Sequence, residues 1–210
     1  MCKKVTLLAL MISICMLSAC RPSYLHDEDM DIYEKIHRYY NEMESYSSDL
    51  TITAYSNKTE NTYHAVQKST GHDKFYMQIT SDQKDFSVTT VENSGIVKTT
   101  TDGSAFSVTM PTREGTGLLF VNRFFAKYYA SEDTVLLVNG RENGSVTVLE
   151  TALSENNPRF ATATLTVDNQ TLAPVRIELA DRNGNTILKG EFSHFIYNDT
   201  IEEHLFSTNE

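Results

Sequence analysis

Residues 161–197 read ATATLTVDNQTLAPVRIELADRNGNTILKGEFSHFIY, and their alternation decides the fold. Ala161, Ala163, Leu165 and Val167 alternate with Thr162, Thr164 and Thr166, and Val175, Ile177 and Leu179 alternate with Arg176 and Glu178. Period two sends successive side chains to opposite faces of a sheet, so each run is a strand with one apolar and one polar face. Asp181-Arg182-Asn183-Gly184 turns the chain into a last strand, Ile187 to Tyr197. Gly190 within it marks a bulge or a close approach of another segment. Strands joined by short turns form an antiparallel meander.

The same pattern extends upstream. Leu50, Ile52 and Ala54 alternate cleanly, Tyr63, Ala65 and Val66 less so, and Phe75, Met77 and Ile79 again cleanly. Further strands are expected at Phe86 to Val91, Ile96 to Thr100, Ala105 to Met110, Thr134 to Val138 and Val146 to Thr151. Asn93-Ser94-Gly95, Asp102-Gly103, Asn139-Gly140 and Asn143-Gly144 supply the positive backbone angles that tight hairpins need.

Two segments follow helical spacing instead. From Asp29 to Ser45 the residues Ile32, Ile36, Tyr39 or Tyr40, and Met43 make one apolar stripe, with Asp29 or Asp31 placed to cap its start. Gly115-Thr116-Gly117 breaks the strands, and Leu118 to Ala130 reads as a helix. Its aromatic groups cover about half its circumference, more than a surface helix needs, with Arg123 and Lys127 on one side and Asn122 nearer the edge.

The expected fold is therefore mainly β (α+β). About eleven strands form one curved antiparallel sheet, an unclosed half-barrel, with an N-terminal helix and an aromatic helix inserted between strands six and seven. Leu118, Phe120, Val121, Phe124, Phe125 and Tyr128 are the candidate core-facing or pocket residues. Alanines on the inner face leave room for that helix or for a bound acyl chain.

At the other end of the chain, Lys3 and Lys4 precede an apolar run from Val5 to Leu17 that closes with Leu17-Ser18-Ala19-Cys20. This is an export signal ending in the bacterial lipobox pattern, in which the cysteine is acylated and becomes the new N-terminus. The alternative is an ordinary secretory signal that leaves a free thiol. The expected organisation is a signal peptide over 1–19, a lipidated tether over 20–29, and one domain over 30–210. Cys2 and Cys15 leave with the signal, so one cysteine remains and no intramolecular disulfide can form. Losing Lys3 and Lys4 takes 18 basic residues to 16 against 28 acidic ones, a net charge of −12. Such a surface is a poor partner for nucleic acid, and it favours tethering by acyl chains over adsorption to anionic lipid.

Catalytic patterns are missing. None of the six histidines, His26, His37, His64, His72, His194 and His204, forms a close ligand pair of the zinc-site kind. Glu202-Glu203-His204 lacks the third converging ligand, no strained serine elbow occurs, and no glycine-rich phosphate loop opens a helix. Neither enzyme activity, metal nor cofactor is expected.

The order helix, meander, aromatic helix, meander resembles the LolA/LolB lipoprotein-carrier superfamily over about Ile32 to Phe206. Its local marks are Leu165 to Asp168, Pro174 to Ile177, Asp181 with Gly184, and Phe192 to Asn198 ending at Phe206. Met1 to Lys4 and Leu118-Leu119-Phe120 to Tyr129 are most similar to the GerS-type spore-germination lipoproteins of clostridia. That resemblance implies a noncatalytic protein on the extracytoplasmic, cortex-side membrane of the spore. It would bind and activate a zinc-dependent cortex N-acetylmuramoyl-L-alanine amidase and so enable muramic-δ-lactam formation. The resemblance also implies strand-swapped homodimers. A lipid or lipoprotein receptor is the rival reading, whereas a diffusing shuttle is disfavoured because an acylated carrier stays on its membrane.

Overall fold

The computed structural model describes residues 30–56, 59–81, 84–103, 113–131, 135–137, 145–153 and 159–208. By internal contacts the chain divides into Met1–Lys35 and Ile36–Glu210. Helix α1, Ile32–Asn41, begins in the first unit and ends in the second. Its start is a capping box: the Glu34 amide donates to Asp31 Oδ1 at 2.8 Å and the Asp31 amide to Glu34 Oε2 at 3.2 Å. Asp31 is thus the capping residue. The helix is shorter than its stripe because Ser45 already pairs with Thr70, so the chain is committed to a strand before Ser48.

The second unit is built on ten described strands: β1 Ser45–Tyr55, β2 Glu60–Thr70, β3 Lys74–Ser81, β4 Lys84–Asn93, β5 Ile96–Gly103, β6 Val135–Leu137, β7 Val146–Ala152, β8 Thr162–Asp168, β9 Pro174–Ala180 and β10 Thr186–Tyr197. They form one sheet in the order β5-β4-β3-β2-β1-β10-β9-β8-β7-β6, every pair antiparallel. Among the described residues β5 and β6 are its edges, so the sheet is open. The strand expected at Ala105–Met110 and the turns at Asn139-Gly140 and Asn143-Gly144 lie outside the described residues.

Two helices stand between β5 and β6: α2, Arg113–Gly117, and α3, Val121–Ala130. One inner face carries the core. Tyr46, Leu50 and Ile52 of β1, Tyr63 and Ala65 of β2, Phe75, Met77 and Ile79 of β3, Leu165 and Val167 of β8, and Ile177 and Leu179 of β9 are all buried. The ten-residue α3 ion-pairs with Glu92 of β4 and also packs on β7. A ten-residue helix is about 15 Å long, whereas β4 and β7 would lie roughly 34 Å apart in a flat sheet. Contact with both requires the sheet to curl around the helix, as the accumulated strand twist allows.

Several expectations are corrected here. Asp102 and Gly103 do not turn; they continue β5, paired with Ser87 and Phe86. Asn93-Ser94-Gly95 does turn, with Ser94 at φ 50° and Gly95 at φ 82°. Val175 is 41 % exposed, because an irregularity between Thr166 and Val167 pairs Val167 with Pro174 and gives the buried place to the proline. Gly115-Thr116-Gly117 is helical, the end of α2, and the helix expected from Leu118 starts at Val121. A Cβ on Gly115 would lie 2.8 Å from Phe160 Cζ, so the glycine permits close packing there. Leu118 to Phe120 form the break, with Phe120 extended at φ −75° and ψ 128°.

Gly190 marks a close approach. An added Cβ would meet Ile177 Cγ2 and Leu50 Cδ2 at 3.2 Å and Leu119 Cδ2 at 3.5 Å. The irregularities of that strand lie to either side, between Thr186 and Leu188 against β9, and opposite Ser47 and Asp49 of β1, where His194 takes φ 49°. After β10 the chain crosses to the outer face of β3 and β4. Lys74 ion-pairs with Glu203, Asn93 Nδ2 donates to the Phe206 carbonyl at 3.1 Å, and Phe206 is fully buried.

Candidate functional site

The candidate site is the inner face where Leu118–Ala130 crosses it. Leu118 is half-buried, while Phe120, Val121, Phe124, Phe125 and Tyr128 are buried. The segment enters through a run of hydrogen bonds. The Val121 amide donates to Tyr46 Oη at 3.1 Å, Tyr46 donates to Gln67 Oε1 at 2.7 Å, and Gln67 Nε2 donates to the Leu119 carbonyl at 3.3 Å. Burial, only partly opposed by the Val121 amide and the Arg123 charge, pushes the Tyr46 phenol far up. It therefore stays protonated and can donate and accept together.

Two further contacts fix this end. Asn122 Nδ2 donates to Ser69 Oγ at 2.6 Å and to the Gly71 carbonyl at 3.1 Å. Arg123 ion-pairs with Glu92 while its guanidinium lies 4.1 Å from the centre of the Phe75 ring. Gly117 leaves room for it, since a Cβ there would fall 2.8 Å from Arg123 Nη1.

Towards the C-terminus of α3 the contacts become aromatic. Phe124 stacks on Tyr128 at 5.8 Å, Phe125 stacks on Tyr40 of α1 at 4.3 Å, and His37 meets Tyr128 and Tyr129 edge-on at 5.6 and 5.1 Å. Tyr40 in turn donates to the Leu172 carbonyl at 2.8 Å. Burial raises the Tyr40 phenol well above its ordinary value, with Tyr39 and Tyr46 adding to the effect, and it lowers the His37 imidazole. Tyr39, against Tyr197 at 4.2 Å, is pushed up to about 12, by burial first and then by Tyr197.

These groups bind and hold. Ser48 and Ser69 spend their hydroxyls on backbone carbonyls, and His204 pairs with Glu202 on an exposed turn. Among the described residues no three His, Cys, Asp or Glu side chains converge to hold a metal. Cys20 lies outside the described residues. Sequence reasoning missed Leu119, fully buried against Gly190, and the Tyr46–Gln67 pair. The available signal was Gln67 and Ser69 standing where β2 should carry apolar residues.

Comparison with known proteins finds a match to the family model described as "Sporulation protein YdcC-like" over residues 3–206. No curated protein matches. Among solved structures the chain is similar to a putative outer membrane lipoprotein-sorting protein domain from Vibrio parahaemolyticus, 14 % identical, covering 83 % of this chain and 94 % of that one at a TM-score of 0.48. It is also similar to a LolA superfamily protein from Nitrosomonas europaea, 13 % identical, with coverage of 84 % and 96 % and a TM-score of 0.44. One chain of the structure of the CwlD amidase from Clostridioides difficile in complex with the GerS lipoprotein is matched at 19 % identity, with coverage of 84 % and 99 % and a TM-score of 0.36.

Proposed function

Because the chain belongs to the YdcC-like sporulation protein family, we propose that it is a non-catalytic lipoprotein, anchored through Cys20 on the extracytoplasmic side of a membrane facing the spore cortex, that binds and activates a cortex N-acetylmuramoyl-L-alanine amidase. The observation that carries this reading is the way α3 is fixed on the inner face among the described residues. Phe124, Phe125 and Tyr128 are packed on one another and on α1, and the Tyr46–Gln67 bonds pin the entry to α3. A helix held in this way gives its partner a surface fixed beforehand, which loses little freedom on binding. The amidase class is the partner implied by the likeness of Met1 to Lys4 and Leu118 to Tyr129 to GerS-type lipoproteins. The zinc and the chemistry would be the amidase's own. Strand-swapped pairing of two copies, drawn from the same likeness, would use a sheet edge.

The test mixes the mature protein with a CwlD-type amidase and measures co-elution and release of muramyl-linked peptide from cortex peptidoglycan. Co-elution with a several-fold gain in amidase rate is expected. An amidase equally active alone, or cleavage by this protein alone, would sink the reading.

The rival, a lipid or lipoprotein receptor, rests on the small residues Ala65, Ala163 and Gly190 of the inner face. The rings that would line such a pocket instead contact each other. Native mass spectrometry of protein purified without detergent separates the two, because a receptor would carry acyl material.

A further inference from the structure

Resting on the anchored-lipoprotein reading, we infer that the outward strip of α3, Ala126, Lys127, Tyr129 and Ala130, lies with His37 against the anionic phospholipid headgroups of the membrane that holds Cys20. All four strip residues are exposed. Tyr129 is 44 % exposed, yet its ring is steadied by His37 at 5.1 Å, Phe125 at 5.6 Å and Tyr128 at 5.9 Å. A ring with one apolar side packed and a hydroxyl at its tip suits the headgroup layer, where tyrosines gather. The two alanines keep the strip low enough for close approach.

Charge points the same way. The ten residues of α3 hold Arg123 and Lys127 and no carboxylate, in a chain that has 28. The next carboxylates in sequence, Glu132 and Asp133, come after the helix has ended at Ala130. Arg123 is engaged with Glu92, so Lys127 is the cation α3 presents outward. A net-acidic body beside anionic lipid is repelled least when its carboxylate-free strip is turned toward the surface. Connectivity agrees. Eleven residues separate Cys20 from Ile32, a reach of at most roughly 40 Å. The chain then enters the second unit through α1, whose Tyr40 and His37 rest on α3. The first part of that unit after the attachment is therefore α1, on which α3 is packed.

The chain contains no tryptophan, so Tyr129→Trp places a single indole on the strip. Full-length acylated protein would be reconstituted into phosphatidylglycerol–phosphatidylcholine vesicles with and without brominated lipid. Thr100→Trp, on exposed β5, serves as the comparison. The indole at position 129 should shift to shorter wavelength and be quenched several-fold more by brominated lipid than the one at position 100. Adding Lys127→Glu should reduce that quenching. Equal, solvent-like emission from both positions in protein that floats with the vesicles overturns the orientation and leaves the anchor standing. Protein that neither floats nor carries acyl mass overturns the anchor and the orientation together.

Discussion

The two ends of α3 are held by different physics. At its N-terminus the contacts are directional: Val121 to Tyr46, Tyr46 to Gln67, Gln67 to Leu119, and Asn122 to Ser69 and Gly71. At its C-terminus they are rings on rings, with Phe124, Phe125 and Tyr128 against each other and against Tyr40 and His37. Apolar packing supplies most of the free energy but tolerates small sliding, whereas hydrogen bonds add little net energy and penalise any other register. The aromatic end therefore holds α3 down, and the polar end decides where it sits.

That division can be broken most severely at its aromatic end. Phe124→Ala should cost about 3–5 kcal/mol, read as a lower urea midpoint, because it opens a cavity beneath the helix. Tyr46→Phe should cost about 1–3 kcal/mol by leaving the Val121 amide and the Gln67 carbonyl unpaired. Combined with Gln67→Met it should be less than additive, with a coupling of about 0.5–3 kcal/mol, since both changes remove one network. Additive losses would show that the network does not act as a unit. Glu92→Gln should cost only about 0.2–1 kcal/mol, shrinking further in high salt, because the pair with Arg123 is partly solvated.

The smallest effect is a pH dependence at His37. Burial holds its folded pKa below the unfolded value of about 6.5. Between those two values the unfolded chain binds more protons, so stability falls as pH drops through that window and levels off below it. His37→Leu should flatten that part of the stability–pH curve, and an unchanged slope would place its origin elsewhere.

How much of this was legible depended on whether each residue obeyed a single rule. Leu165, Ile177 and Leu179 are buried as their alternation requires, and Asn93-Ser94-Gly95 turns as its residues demand. Val175 misled because one irregular pairing with β8 reverses which side a residue faces, and nothing local to the strand announces it. The part that the glycines before α3 play was hidden because it lies in contacts with Phe160 and Arg123, far away in sequence or in the next helix. Gln67 was the hardest. A polar residue on a buried face reads as a weak strand, although here the polar group is the contact that places α3.

The centre of the sheet has a consequence for how the protein is made. β1, among the first strands to emerge from the ribosome, has β10, the last, as its permanent neighbour, with Tyr46 opposite Tyr197 and Leu50 opposite Phe192. Until the whole polypeptide has been synthesised, β1 has a bare side where pairing with a wrong strand is open to it. Contacts so distant along the chain also form slowly. Maturation should therefore wait for complete export, and a chaperone shielding that strand would matter more to yield than any single core contact.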